Sequence, residues 1–101
     1  MTKYHAKRAE AEGLSFHSTK ERNRYLELRL LEKAGEVSGL RCQVPIVLEV
    51  NGQKLGMYVA DFKYHTDKGL VIEDVKGMDT PMSKWKRKHV LAQYGIEVLT
   101  T

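Results

Sequence analysis

The sequence has 101 residues, enough for one compact domain with a single modest core and too few for a separate accessory domain. With 42% hydrophobic and 30% charged residues, its composition is that of a folded globular protein rather than a disordered chain. Lysine and arginine total 17 against 13 aspartates and glutamates, and the net charge of +4 suits a polyanionic partner.

Membrane and secretion signals are not apparent in the sequence. No apolar run approaches the length needed to span a bilayer, and residues 1–12 are charged where a signal peptide needs an apolar stretch. The single cysteine, Cys42, excludes an internal disulfide and a cysteine-type zinc site. We therefore expect a cytoplasmic protein with no membrane partner, in which Cys42 is a small buried apolar side chain.

The chain opens with a polar, basic stretch. Residues 1–17 are predicted to be a loosely ordered lead-in to a single domain that covers residues 1–101. Within this lead-in, residues 13–16 are expected to form a short extended piece that places Phe16 on the core.

A helix is predicted over residues 19–34. Ser18 and Glu21 have the spacing of a capping box, in which each side chain satisfies a free backbone donor at the helix start. Gly35 is a suitable C-terminal cap. The apolar face predicted for this helix consists of Tyr25, Leu28 and Leu31, widened by Leu26 and Leu30.

Three strands are predicted after this helix. Residues 44–50 are rich in β-branched and apolar side chains, and Asn51-Gly52 is a strong hairpin signal that leads into a second strand over roughly residues 54–65. A turn at residues 66–69 leads to a third strand over residues 70–76.

A second helix and a last strand are predicted at the end of the chain. Thr80-Pro81 favours a helix start, and the helix runs to about Tyr94 and ends at Gly95. Residues 96–99 make a short strand. The order αβββαβ predicts an α/β fold with a mixed sheet flanked by helices.

Two acids are predicted to lie close together on the second and third strands. Because side chains alternate along a strand, Asp74 and Lys76 share one face of the third strand and Glu73 and Val75 share the other. Asp61, on the neighbouring strand, can reach the same cation as Asp74. Two carboxylates suit Mg²⁺ or Mn²⁺, and a lysine two residues along can orient a water or steady charge on a phosphate under attack.

Each acid also has a structural explanation. An acid and a lysine at a strand end often form only an exposed salt pair, although Asp61 interrupts the apolar stretch 59–62, where a buried charge needs a partner. Glu21 can simply close the capping box, or it can face the sheet as a further acid. Glu73 is expected to be structural, unless the strand register differs by one residue.

The second helix carries a basic patch without acids: Lys84, Lys86, Arg87 and Lys88. Of these, Lys84, Arg87 and Lys88 fall on one side of the helix. Such charges are either a solvated face or a surface that holds DNA phosphates beside the reactive bond. Met82, Trp85 and Ala92 fit an inward stripe, which favours Trp85 as core over Trp85 as a base-stacking platform. Four histidines have no metal-ligand spacing and are expected at the surface or in packing: His5, His17, His65 and His89.

Together these residues resemble the PD-(D/E)XK nuclease superfamily. The resemblance rests on an acid in the second strand, Asp74-Val75-Lys76 in the third, a glutamate on the preceding helix and a basic helix after them. The chain is also similar, over nearly its whole length, to a phage-encoded family of small Holliday-junction resolvase-like endonucleases. The segments that carry this similarity are Phe16 to Glu21, Leu30 to Gly35, Tyr58 to Phe62, Glu73 to Gly77 and Tyr94 to Ile96.

The resemblance implies a restriction-endonuclease-like core and a Mg²⁺- or Mn²⁺-dependent deoxyribonuclease. It implies Asp61, Asp74 and the backbone carbonyl of Val75 as metal ligands, Lys76 as the catalytic lysine and Glu21 as the helix acid. Ala60 replaces the proline usual before the first acid.

A resolvase-like enzyme needs a large surface to hold branched DNA, and the loops of this chain are short. The preferred DNA structure is therefore left open, with branched DNA as one candidate. A homodimer would supply additional DNA-binding surface. A phage origin would place the protein in a bacterial cytoplasm. The alternatives are a catalytically inactive DNA-binding or recombination accessory protein of the same fold and a purely structural protein.

Overall fold

The computed structural model describes residues 8–77 and 79–101. Two short strands, β1 (Ala9–Ala11) and β2 (Leu14–Phe16), precede helix α1 (Thr19–Lys33). The remaining elements are β3 (Ser38–Val50), β4 (Gln53–Thr66), β5 (Gly69–Asp74), α2 (Pro81–Tyr94) and β6 (Leu99–Thr100). Neither described helix is long and apolar enough to cross a membrane.

The predicted mixed sheet is confirmed. Its strand order is β3-β4-β5-β6, with antiparallel pairing from β3 to β5 and parallel pairing between β5 and β6. Strands β1 and β2 form a separate antiparallel pair. The expectation of a loosely ordered lead-in is therefore wrong for the hairpin at its end, which does place Phe16 in the core at 3% exposure. Residues 1–7, with His5, lie outside the described residues.

The predicted helix ends and hairpin turn are confirmed. The Ser18 hydroxyl accepts a hydrogen bond from the Glu21 N–H at 3.1 Å, and the Thr80 hydroxyl accepts one from Ser83 at the start of α2. Gly95 ends α2 with a φ of 72°, a conformation that costs glycine little. Asn51 has a φ of 51°, as a tight hairpin turn requires.

Three strand boundaries differ from the prediction. β3 begins at Ser38, well before residue 44. β5 ends at Asp74, so Lys76 lies beyond it, and β6 starts only at Leu99. Backbone hydrogen bonds to the last residue hold residues 74–76 in place. The Lys76 N–H donates to the Thr101 carbonyl at 2.7 Å, and the Thr101 N–H donates to the Asp74 backbone carbonyl at 2.9 Å.

Two hydrophobic clusters form the core, and β4 contributes to both. Phe62 and Tyr64 pack with Tyr25 and Leu28 of α1. Tyr58 and Ala60, earlier on β4, pack with Val90 of α2.

Strand β3 also contributes to both hydrophobic clusters. Leu40 and Cys42 pack with the first cluster, whereas Ile46 and Leu48 belong to the second. The change occurs around Gln43, whose φ of 52° departs from a regular strand. Cys42 is half-buried rather than fully buried.

The predicted helix faces are partly wrong. On α1, Tyr25 and Leu28 are buried, but Leu26 and Leu30 are 38% and 67% exposed, so the buried stripe is narrower than expected. On α2, Trp85 is 51% exposed.

The inward stripe expected for α2 is wrong at all three positions, since Met82 and Ala92 are exposed as well. The physical reason is that α2 packs on the β3–β4 hairpin through Val90 and through polar contacts, and not through the predicted stripe. The His89 ring lies 3.0 Å from the Glu49 carbonyl, and the Tyr94 hydroxyl donates to the Val47 carbonyl at 2.6 Å. Val90 is the one described α2 residue that is fully buried.

Candidate functional site

Asp61 and Asp74 meet where β4 and β5 separate. Regular pairing ends at Phe62 opposite Glu73. One residue further, the Asp61 N–H donates to Asp74 Oδ1 at 2.9 Å, and the Val75 N–H donates to Asp61 Oδ2 at 2.9 Å. Side-chain bonds thus replace the backbone ladder and fix both carboxylates, so the two acids lie together as the sequence predicts.

Tyr58 is a member of this site that was not identified from the sequence. Its hydroxyl donates a hydrogen bond to Asp74 Oδ2. Burial, together with the neighbouring Asp74 carboxylate, raises the pKa of Tyr58, so the phenol stays protonated and acts as a donor.

Glu21 lies at the start of α1 and also faces the sheet. Its side chain is buried, and Oε1 accepts the His17 N–H at 2.9 Å rather than the Ser18 N–H of a standard capping box. Oε2 accepts a hydrogen bond from Gln43 Nε2 at 2.8 Å. The carboxylate therefore supports the helix start and also faces the strand that carries Gln43.

Gln43 was missed by the sequence analysis. Its Nε2 lies 2.8 Å from Glu21 Oε2 and 3.3 Å from Asp61 Oδ1, so one amide group joins the helix acid to the strand acid. The predicted strand began at Val44, which left Gln43 in a loop. The signal that could have found it is a polar residue on the strand beside Asp61, just before an apolar run.

The two strand acids are harder to ionise than usual. Burial raises the pKa of Asp61 to about 6, with a further contribution from Glu21. Burial also raises the pKa of Asp74, and the neighbouring Asp61 adds to the shift. A cation among these carboxylates would remove much of this unfavourable electrostatic energy.

The donor chemistry fits Mg²⁺ or Mn²⁺, since Glu21, Asp61 and Asp74 offer hard carboxylate oxygens. Across residues 8–77 and 79–101, however, no three His, Cys, Asp or Glu side chains are already arranged to hold a metal ion. Their oxygens are taken by N–H and O–H donors instead. Cation binding would therefore have to displace some of these hydrogen bonds.

A cleft of about 350 Å³ opens onto the acids, and its lining includes Val75, Lys76 and Ser83. Lys76 is exposed, and its backbone carbonyl accepts a hydrogen bond from Lys20 Nζ at 3.0 Å. The structure thus brings Glu21, Asp61, Asp74 and Lys76 to one cleft. The Val75 N–H bonds to Asp61, and its carbonyl stays a predicted ligand.

Three of the four basic residues of α2, Lys84, Arg87 and Lys88, share one groove, in agreement with their predicted position on one side of the helix, and Lys86 lies apart from them. Arg87 lines the cleft, where Nη2 lies 2.9 Å from both carboxylate oxygens of Asp79. Lys84 and Lys88 are exposed and share a neighbouring groove with Arg87. Lys86 instead donates to the Met57 carbonyl at 3.0 Å, so it belongs with the β3–β4 hairpin rather than with the other three.

Glu73 has the structural surroundings that were expected for it. Its side chain is fully buried and accepts hydrogen bonds from Arg24 at 2.6 Å, Tyr64 at 2.6 Å and Thr101 at 2.9 Å. Burial opposes ionisation, but these three donors outweigh it and lower the pKa of Glu73. A one-residue register error, which would have exchanged Glu73 with Asp74, is excluded by the pairing of Phe62 with Glu73.

Among the described histidines, His17 is the one beside the acids. Its Nδ1 lies 3.5 Å from Glu21 Oε1, and its side chain is 67% exposed at the cleft. The expectation of surface or packing positions agrees with His65, which is exposed, and with His89, which packs against Trp85.

Searches of curated proteins and of solved structures each gave no match to the chain. A family model does match, over residues 1–100. The chain therefore belongs to the family described as "Protein of unknown function (DUF1064)".

Proposed function

We propose that this protein is a Mg²⁺- or Mn²⁺-dependent endodeoxyribonuclease with a PD-(D/E)XK, restriction-endonuclease-like core. The observation that carries the proposal is the side-chain bonding where β5 ends beside the middle of β4, which holds Asp61 and Asp74 side by side in the cleft that Lys76 lines. A structural salt pair consists of one acid and one base, whereas this site has two neighbouring aspartates whose pKa values are both raised, which is typical of functional sites.

Asp61, Asp74 and the Val75 carbonyl would hold the cation. The cation would supply a Lewis acid for the scissile phosphate and an acidified water. The Lys76 ammonium would orient that water and offset negative charge on the phosphate, because its side chain starts two residues after Asp74 in the same cleft. Glu21 would add a third carboxylate from the helix side.

The DNA would reach the acids along α2. Arg87 already lies in the cleft, and Lys84 and Lys88 continue a basic surface away from it. These side chains would contact phosphates rather than bases, so their effect on affinity should depend on salt and little on sequence. In this proposal the protein acts in the cytoplasm, that of a bacterial host for a phage gene, and a homodimer would span a branched substrate.

A cleavage panel tests the proposal. Supercoiled, linear, nicked, single-stranded and four-way-junction DNA would each be incubated with purified protein and Mg²⁺, Mn²⁺ or EDTA. We expect cation-dependent cleavage of at least one substrate, lost in Lys76→Met and kept in Lys63→Met, which removes a lysine from the neighbouring strand. Absence of cation-dependent cleavage across the panel would overturn the proposal.

A second candidate function is a catalytically inactive DNA-binding or recombination accessory protein of the same fold. The observation that favours it is that the site acids are already hydrogen-bonded to Tyr58, Gln43 and backbone N–H groups. It predicts DNA binding without cation binding, and DNA affinity that is unchanged in Asp61→Ala and Asp74→Ala.

A further inference from the structure

Gln43 connects two acids that belong to different layers of the molecule. Its Nε2 lies 2.8 Å from Oε2 of Glu21 on α1 and 3.3 Å from Oδ1 of Asp61 on β4. Each carboxylate oxygen therefore faces the same nitrogen. A single positive centre between two carboxylates is the arrangement that a divalent cation would create, and here a neutral amide provides the shared contact.

The backbone at Gln43 is unusual for a strand. Its φ is 52°, in the left-handed region that side chains with a Cβ rarely adopt. The other non-glycine residues with positive φ in residues 8–77 and 79–101 are Glu12 and Asn51, which lie in hairpin turns. Gln43 lies inside β3, where no turn requires this conformation.

The surroundings of Gln43 do not explain this conformation by packing. The residue is exposed, whereas its neighbours Cys42 and Val44 are partly buried. The pairs Cys42 with Phe62 and Val44 with Ala60 leave Gln43 opposite Asp61. The strained backbone thus directs a polar, exposed side chain to the acids, which is a recurrent feature of functional positions.

A primary amide can serve the site in two ways. Its N–H groups bond to carboxylates when no cation is present. After a rotation of the amide group, its oxygen is a hard ligand for Mg²⁺ or Mn²⁺. The exchange changes no charge on Gln43.

We propose that Gln43 belongs to the cation site: its amide N–H groups hold Glu21 and Asp61 together in the cation-free protein, and its amide oxygen turns to Mg²⁺ or Mn²⁺ on binding. This inference rests on the proposed nuclease function, because it requires that the cleft binds a divalent cation.

Mn²⁺ binding, followed by electron paramagnetic resonance of the free ion and by thermal shift, tests the inference without an activity assay. Gln43→Met keeps the length of the side chain and removes both amide atoms. We expect it to weaken Mn²⁺ binding by about tenfold or more. The matched control is Gln53→Met at the exposed start of β4, which should bind Mn²⁺ as the wild type does.

Two further variants separate the amide oxygen from the N–H groups and from the backbone. Gln43→Glu keeps an oxygen donor and should retain Mn²⁺ affinity to within about threefold or improve it. Gln43→Gly accepts the positive φ without strain but lacks the amide, so it should bind Mn²⁺ as weakly as Gln43→Met. Weak binding by Gln43→Glu, or wild-type binding by Gln43→Gly, would overturn the inference.

Asp61→Asn shows which proposal has failed if the result is negative. When Asp61→Asn weakens Mn²⁺ binding and Gln43→Met does not, the cation site stands and the role of Gln43 is wrong. When wild-type protein binds no Mn²⁺, both this inference and the proposed function are wrong.

Discussion

Asp61, in the middle of β4, and Asp74, the last residue of β5, hold the two strands together where they separate: the Asp61 N–H donates to the Asp74 carboxylate, and the Val75 N–H, immediately after Asp74, donates to the Asp61 carboxylate. These contacts take the place of the next backbone pair in the β4–β5 ladder. The same side chains therefore end the strand pairing and present carboxylates to the cleft.

Stability without cations should depend on pH through Asp61. Its folded-state pKa is raised to about 6, so the folded protein holds the proton more tightly than the unfolded chain does. The resulting stabilisation is complete below the ordinary pKa of an aspartate and is lost as the pH rises through about 6, a loss of about 1 to 2 kcal/mol after allowance for partial exposure. Urea titrations in EDTA between pH 4 and 7 measure this loss.

Asp61→Asn provides the variant for this measurement, because it removes the titrating group while an amide can still accept the Val75 N–H. It should flatten the decline in unfolding free energy between pH 4 and 7. Asp67→Asn, in the exposed turn after β4, is the control and should leave the decline unchanged. An unchanged decline in Asp61→Asn would show that Asp61 does not titrate as described.

Tyr58→Phe should destabilise the cation-free protein by about 1 to 2 kcal/mol, because it removes a buried hydroxyl that satisfies the Asp74 carboxylate. Tyr94→Phe is a suitable comparison: its hydroxyl bonds to the Val47 carbonyl at an exposed position, and its loss should cost about 0.5 kcal/mol. Equal costs for the two variants, measured by urea unfolding, would count against a special Tyr58–Asp74 contact.

Removal of Arg24 should destabilise the fold strongly. Arg24→Met leaves the fully buried Glu73 carboxylate without its cationic partner, at an expected cost of about 3 to 5 kcal/mol. The double variant Arg24→Met with Glu73→Gln should recover part of that cost, because no buried charge is left unpaired. Denaturant unfolding gives both values, and a double variant no more stable than Arg24→Met would contradict this account.

DNA affinity should separate the basic residues of α2. Lys88→Ala should weaken binding and reduce its salt dependence, because Lys88 is exposed beside Arg87 and the cleft. Lys86→Ala removes the same charge from a side chain that bonds to the Met57 carbonyl, so its effect on affinity should be smaller. Fluorescence anisotropy at several salt concentrations compares them. A larger effect of Lys86→Ala would place the DNA on the hairpin side of α2.

Local signals in the sequence were sufficient to predict the helix ends and the hairpin turn. The Ser18 and Thr80 caps, the Asn51-Gly52 turn and Gly95 each act within a few residues, and all were predicted correctly. The pairing of Asp61 with Asp74 followed from one turn and from strand alternation.

Long-range packing decided the rest. The polar seam between α2 and β3, made by residues such as His89 and Tyr94, leaves Trp85 exposed, and no periodicity within α2 indicates which face that seam uses. Gln43 reaches Glu21 only because β3 extends back to Ser38 and departs from regular strand geometry midway. Arg24 meets Glu73 across 49 residues of sequence.

The most direct test of the central claim is the rate of Mn²⁺-dependent DNA cleavage by Asp74→Asn under single-turnover conditions. Asp74→Asn keeps the shape of the side chain and removes the charge that the cation would need, whereas Asp67→Asn makes the same change in an exposed turn. The account predicts a loss of at least about a hundredfold for Asp74→Asn and a wild-type rate for Asp67→Asn. Cleavage at the wild-type rate by folded Asp74→Asn would contradict it.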